Sequence, residues 1–274
     1  MFKRIVTRLR TLRPLSSTVR KHLLAMRRGL RFGRDPREWS SLSAIQSSPT
    51  HPDNSLLRYF NEHKTGRGIW KFNHYFEIYE RHFNRFRGQE VHILEIGVYS
   101  GGSLEMWQKY FGPRCRIYGL DIEPTCKAYE NESVQIFVGD QADRNFWKRF
   151  KREVPVLDIV IDDGGHAPEQ QIVTLEELLP HLRSGGVYLC EDVVNVFNEY
   201  SSYVHGLAQG LNAITLEYSY DNSERRQVSK TGPLQAAVAS IHLYPYLTLI
   251  ERTQASVSEF VAPKHGTEWE PFLK

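Results

Sequence analysis

Between His92 and Asp192 five apolar runs alternate with helical patterns: HILEI, RIYGLDI, VQIFVGD, VLDIVIDDGGH and VYLCED, with helices expected over 103–111, 143–153, 168–182 and about 200–212. Such alternation predicts an α/β chain with a doubly wound parallel sheet and right-handed crossovers. Each run ends on a carboxylate, a polar group or a glycine turn, and ligands of open α/β sheets bind along that carboxyl edge. The first run leads into the turn Glu95-x-Gly97-x-x-x-Gly101-Gly102-Ser103. A glycine turn lets a ligand approach the backbone closely, because it accepts φ > 0 and carries no Cβ. Its spacing is not the dinucleotide Gly-x-Gly-x-x-Gly, and Glu95 would repel a pyrophosphate but suit a cationic or hydroxyl-bearing ligand. A plain strand-turn-helix junction is the alternative.

The later runs add chemistry at the same edge. Asp121, 24 positions after Gly97, could accept both hydroxyls of a ribose. Asp140 and Gln141 end the third strand, with a helix cap or Asx turn as the structural alternative for Asp140. Asp162, Asp163, Gly164, Gly165 and His166 end the fourth, and Glu191 and Asp192 the fifth. Adjacent carboxylates raise one another's pKa, so something must offset them, either a divalent cation or capping of the helix that starts near Pro168. Neighbouring strand tips lie only about 5 Å apart, which lets Asp163, Glu191 and Asp192 converge on one hard cation beside His166.

Outside this core the pattern changes. Residues 1–40 hold twelve Lys/Arg against Asp35 and Glu38, a charge of +10; with +3 overall, the remainder carries −7. That balance argues against a nucleic-acid surface and confines attraction to anionic lipid or polyanions to the basic N-terminal arm. Two short basic helices or a disordered, solvated extension both fit the arm. Residues 41–57 read as a Ser/Pro-rich linker, and 58–274 as the main domain. The segment His63–Tyr75, HKTGRGIWKFNHY, is placed to line the site or to form a surface loop. Trp70, Tyr75, Tyr79 and Phe83 are expected on one face of the helix that follows, mostly as core. Near the C-terminus, VASIHLYPYLTLIER reads as a hairpin hinged at Tyr244–Tyr246 that inserts one antiparallel strand. Cys115, Cys126 and Cys190 show no metal-ligand spacing and read as inert thiols, Cys115 and Cys190 on strands. No run approaches the roughly 18 apolar residues of a spanning helix; a cytoplasmic protein, membrane-peripheral if the arm binds lipid, is expected.

LEIGVYSGGSLEMW, YGLDI, VGDQAD, LDIVIDDGGH, HLRSGGVYLCED and IHLYPYLTLIER together resemble the class I S-adenosylmethionine-dependent methyltransferases, and among them the metal-dependent O-methyltransferases of macrolide sugars. The resemblance covers roughly residues 58–266 and implies a Rossmann-like, seven-stranded, mostly parallel sheet with one antiparallel strand near the C-terminus. It implies S-adenosylmethionine and Mg²⁺ as cofactors and a glycosidic small-molecule hydroxyl as acceptor. Glu95, Gly97 and Ser103 would surround the methionine part, Asp121 the ribose, and Asp140 with Gln141 the adenine, with Asp162 counted among the cofactor-binding residues. Asp163 and Asp192, with Glu191 in the same acidic pair, match the metal ligands, and His166 the general base. In those relatives a further acidic ligand comes from an N-terminal domain, where this chain has a short basic arm. A catechol-type O-methyltransferase, a hydroxylase-like relative and a non-enzymatic, membrane-peripheral cofactor-binding module are the other readings. Such enzymes often assemble as homo-oligomers, and the sequence leaves the oligomeric state open. The acidic body lacks an Asn-Pro-Pro-Tyr pocket for a flipped base, which disfavours RNA as substrate.

Overall fold

The structure is a computed structural model that describes residues 17–35, 54–214, 218–221 and 226–266. The chain divides into two compact units, residues 1–52 and 53–274. Within the first, helix α1 (Ser17–Phe32) is one amphipathic basic helix; the rest of the expected arm and most of the linker lie outside the described residues.

The second unit starts with α2 (Ser55–Glu62), whose N-cap Asn54 accepts a hydrogen bond from the Leu57 N–H at 2.9 Å. An oxygen acceptor at that position satisfies one of the orphan donors of the first turn. Residues 55–57, grouped with the linker on composition, are therefore helical. After α3 (Tyr75–Phe83) come β1 (Val91–Ile96), α4 (Gly102–Phe111), β2 (Cys115–Asp121), β3 (Val134–Val138), α5 (Arg144–Glu153), β4 (Leu157–Asp162), α6 (Pro168–Leu178), β5 (Leu182–Cys190) and α7 (Glu199–Leu211). β6 (Tyr218–Asp221), β7 (Arg226–Lys230), α8 (Pro233–Ala237), β8 (Val238–Tyr244), β9 (Leu247–Arg252) and β10 (Glu259–Pro263) complete the described elements.

The main sheet has seven strands in the order β3-β2-β1-β4-β5-β9-β8. β9 is antiparallel to both β5 and β8, so it is the one reversed strand, as the 238–252 hairpin predicts. Successive strand residues face opposite sides, and the core follows that rule. Ile93, Ile117, Ile159, Val187 and Leu249 pack under α2, α3 and α4. Their neighbours Leu94, Tyr118, Val160, Tyr188 and Ile250 pack under α5, α6 and α7. Burying a large side chain on either face stabilises the fold by about 1.5–3 kcal/mol, and Trp107 and Trp147 are fully buried anchors of the two faces.

Two expectations change, and one stretch that the sequence leaves unassigned takes on structure. The helix expected to reach 182 gives way to a short 3-10 turn at Leu179–His181, and β5 already begins at Leu182. Its pairing with β4 is irregular between Leu157 and Ile159, where residues 183–186 of β5 stand opposite Asp158 alone. Trp70 precedes α3, stands 88% exposed and belongs to a loop, while Tyr75, Tyr79 and Phe83 are core. The polar stretch after α7 is not plain loop: β6, β7 and β10 form a second, three-stranded antiparallel sheet.

Candidate active site

The carboxyl ends of β1 to β5 and the loop before α3 enclose a cavity of about 610 Å³. Its floor is the turn after β1. Gly97 has φ +86°, and a Cβ there would lie 2.0 Å from the Asp163 carbonyl oxygen. Gly101, at φ +74°, caps α4 with its hydrogen on the Tyr129 ring. The turn is held shut by Asp121, whose Oδ2 accepts the N–H groups of Val98 and Tyr99 at 2.9 Å each. Its Oδ1 takes the Glu123 N–H at 2.9 Å.

Of the residues expected at the site, Gly97, Ser103, Asp121, Asp140, Gln141, Asp163, His166, Glu191 and Asp192 line this cavity. Asp140 lines it while its Oδ1 closes an Asx turn onto the Ala142 N–H. Gln141 contributes wall rather than a free donor. Its amide donates to Asp162 and Thr174, and its carbonyl accepts from the Gly165 N–H.

Two expected residues lie outside the lining. Glu95 points beneath α4, fully buried, and accepts from Ser103 Oγ at 2.8 Å and Trp107 Nε1 at 3.1 Å. The alternation of β1 sends it to that face of the sheet, so it supports the wall through Ser103. Asp162 is buried on the other face, accepting from Gln141 and from the Tyr188 hydroxyl. Burial pushes its carboxyl up to about 7, with those hydrogen bonds opposing.

The acids at the tips of β4 and β5 separate into two groups. Lys71 reaches in from the loop before α3 and binds Asp163 Oδ2 at 2.6 Å and both Glu191 oxygens at 3.1 and 3.0 Å. Burial opposes its charge, but Asp163, Glu191 and Glu95 outweigh that and hold the ammonium above its ordinary pKa. Glu191 also accepts the Tyr79 hydroxyl at 2.7 Å. Burial raises Glu191 and Glu95, and Lys71 draws both back down. The second group is Asp163, His166 and Asp192, which offer donor atoms within 4.8 Å of one another. Asp192 is fixed by the Tyr75 hydroxyl, which lies 2.9 Å from its Oδ1 and 3.1 Å from the Tyr246 carbonyl oxygen. His166 Nε2 lies 3.8 Å from Asp192 Oδ2.

Two carboxylates partly open to the cavity suit a hard divalent cation such as magnesium or manganese, with the His166 imidazole standing beside them. Glu191, the third expected ligand, lies beside them with its oxygens bonded to Lys71 and Tyr79. Tyr99, His166, Asp192, Phe197 and Tyr246 all have positive φ. For non-glycine residues this conformation is uncommon, and strained backbone of this kind gathers at ligand sites. Lys71, Tyr75 and Tyr79 were not singled out as polar site residues by the sequence. The polar, aromatic segment that holds Lys71 and Tyr75 was the available signal.

Residues 94–193 match a family described as a methyltransferase domain. That stretch is a methyltransferase domain of class I type. Over 214 residues the chain is 31% identical to an 8-demethyl-8-(2-methoxy-alpha-L-rhamnosyl)-tetracenomycin-C 3'-O-methyltransferase of Streptomyces olivaceus, which covers 72% of this chain and 54% of that protein. Over 152 residues it is 42% identical to the mycinamicin VI 2''-O-methyltransferase of Micromonospora griseorubida, covering 52% of this chain and 36% of that one. Among solved structures, the MycE methyltransferase of the mycinamycin biosynthetic pathway, in complex with Mg, SAH and mycinamycin VI, superposes with a TM-score of 0.58 at 30% identity. That match covers 74% of this chain and 54% of the other. The chain thus spans about a third to a half of the length of the curated relatives it matches. The matched stretch 94–193 holds the strand tips that line the cavity.

Proposed function

We propose that the chain transfers a methyl group from S-adenosylmethionine to a sugar hydroxyl of a glycosylated small molecule, assisted by Mg²⁺. The observation that carries this reading is the meeting of Asp163, His166 and Asp192 at one side of a cavity whose floor is the glycine turn. The relatives named above as sugar O-methyltransferases, and MycE with Mg and SAH, support it.

Gly97 and Ser103 would flank the methionine part of the cofactor. Asp121 Oδ1, with one backbone donor, retains capacity for a ribose hydroxyl, and Ile122, exposed beside it, offers an apolar face for the adenine near Asp140. When bound, S-adenosylmethionine supplies a methyl group on a positively charged sulfur, and Mg²⁺ supplies a Lewis acid that lowers the pKa of a hydroxyl.

The chain's own residues do the rest. In-line displacement requires a fixed acceptor. Lys71 holds one oxygen of Asp163 and Tyr75 one oxygen of Asp192, which leaves the other oxygen of each for the ion. His166 stands beside Asp192, where it takes the hydroxyl proton as the new C–O bond forms. Trp70 and Phe72, exposed on the loop above, give the sugar an apolar wall and reduce the access of water.

The basic helix α1, with Leu23, Leu24 and Met26 exposed beside Arg20, Lys21, Arg27 and Arg28, supports contact with an anionic membrane surface. Nucleic acid is not a partner in this reading. Among the described residues no helix is long and apolar enough to cross a membrane. The experiment is a transfer assay with labelled donor against a panel of rhamnosides, macrolide glycosides and catechols, with and without Mg²⁺. Label on a glycoside supports the proposal; label on catechols alone replaces it with the phenolic reading.

A further inference from the structure

A second cluster of metal-binding groups stands apart from the cavity. His82 on α3, His242 on β8 and Glu251 on β9 bring donor atoms within 4.8 Å of one another. Glu251 pairs with Val187 of β5, three residues along the strand from the Thr248–Cys190 pair. That places the cluster roughly 10 Å down the sheet from the carboxyl edge. Its three side chains come from three separate elements, yet their functional atoms converge. His82 Nδ1 lies 3.1 Å from Glu251 Oε1 and His242 Nε2 lies 3.9 Å from Glu251 Oε2. The two rings meet edge to face at 4.7 Å.

We propose that His82, His242 and Glu251 form a binding site for a divalent transition-metal ion of the zinc type, which clasps α3 to the β8–β9 hairpin. Two imidazoles and a carboxylate form a borderline donor set that prefers Zn²⁺, Co²⁺ or Ni²⁺ over Mg²⁺. Ligands about 2.0–2.2 Å from a tetrahedral ion stand roughly 3–3.5 Å apart, so the present spacing needs only a small closure of the side chains.

The supports expected around such a set are in place. The other nitrogen of His82, Nε2, meets the Tyr244 hydroxyl at 2.9 Å, which holds the ring in place. Arg85 donates to Glu251 Oε1 at 2.9 Å and orients the carboxylate, while Oε2 remains free of it. Ser240 Oγ, 2.9 Å from His242 Nε2 and 3.3 Å from Glu251 Oε2, is the group an entering ion must turn aside or recruit. His82 is buried, but the His242 side chain is 34% exposed and the Glu251 side chain 19%, so an ion enters from solvent on the hairpin side.

The test uses the metal-free full chain held in excess Mg²⁺ and titrated with Co²⁺, read by the visible absorption of tetrahedral cobalt, with Zn²⁺ then added as competitor. The expected result is one equivalent of tetrahedral Co²⁺ displaced by Zn²⁺, with at least a tenfold loss of affinity in His242→Ala and the spectrum retained in Asp192→Asn. His82→Gln gives a second variant should His242→Ala fold poorly, and Zn²⁺ should raise the melting temperature of the parent but not of either variant. Absence of a tetrahedral spectrum, or a spectrum lost in Asp192→Asn and kept in His242→Ala, overturns the proposal.

Discussion

The Lys71 ammonium sits 2.6 Å from Asp163 Oδ2, and the same nitrogen bonds Glu191. One buried cation of the protein thereby divides the acids at the tips of β4 and β5. It neutralises Glu191 and steadies Asp163, while Asp192 is left to Tyr75 and His166. Removing a single partner from a buried ion pair typically costs about 3–5 kcal/mol. Lys71→Met should therefore lower the free energy of urea unfolding by that order. It should also tighten Mg²⁺ binding measured by calorimetry, because Asp163 and Glu191 lose their competing cation. Unchanged unfolding and unchanged Mg²⁺ affinity together would show that the pairing has no energetic role.

His166 and Asp192 should act on the reaction and not on the donor. General base catalysis is typically worth 10²–10⁴-fold, so His166→Ala should lose about that much turnover. S-adenosylhomocysteine should still bind within about threefold of the parent. A parallel loss of nucleotide binding would place the histidine in the cofactor wall instead.

Tyr75 holds Asp192 from behind, at 2.9 Å, and bonds the Tyr246 carbonyl as well. Removing a partner that orients a metal ligand typically costs 10–100-fold in metal affinity or activity. Tyr75→Phe is expected to weaken Mg²⁺ binding by about that factor and to be partly rescued by raised Mg²⁺. Failure of added Mg²⁺ to restore any turnover would count against the positioning role.

Gly97 tests the cradle. Its φ of +86° is a conformation that side chains rarely adopt, and a Cβ would lie 2.0 Å from the Asp163 carbonyl oxygen. Backbone strain of this kind costs of order 1–3 kcal/mol before the clash is added. Gly97→Ala should lower the melting temperature and abolish S-adenosylhomocysteine binding together, both read in one thermal-shift titration.

His181 gives the pH dependence a sign. Burial lowers its pKa from 6.5, with the nearby Lys151 charge acting the same way, and its Nε2 is buried without a hydrogen-bond partner. The unfolded chain takes up the proton first as pH falls through about 6.5, so the unfolded state binds more protons there and stability is lost on acidification. The ring remains neutral above that value and the contribution is present in full. His181→Phe should flatten the fall of melting temperature between about pH 7.5 and about pH 5.5.

The sheet was legible because its strands are apolar on both faces and stop at chemically distinct ends, as VLDIVIDD stops at Asp163. The reversed strand β9 was legible from the Tyr244–Tyr246 hinge. Polar strands carry no such signal, and the 226–230 stretch RQVSK reads as loop until it pairs with β10. At the site, the residues on the strand tips were found because spacing alone brings them to one edge. Glu95 and Asp162 lie outside the cavity lining because strand alternation turns each into one face of the sheet, beneath the helices. The Lys71–Glu191 pairing joins residues 120 positions apart, and spacing along the strands gives no sign of it. A lysine between Trp70 and Phe72 gives no local sign that its amine will be buried.

The most direct test of the central claim is single-turnover transfer of labelled methyl from S-adenosylmethionine to a deoxysugar glycoside, followed before and after removal of Mg²⁺, in the parent and in Asp163→Asn. The account predicts label on the sugar oxygen, loss on chelation, recovery when Mg²⁺ returns, and no transfer by the variant. Transfer that persists undiminished in the chelated parent and in Asp163→Asn would contradict it.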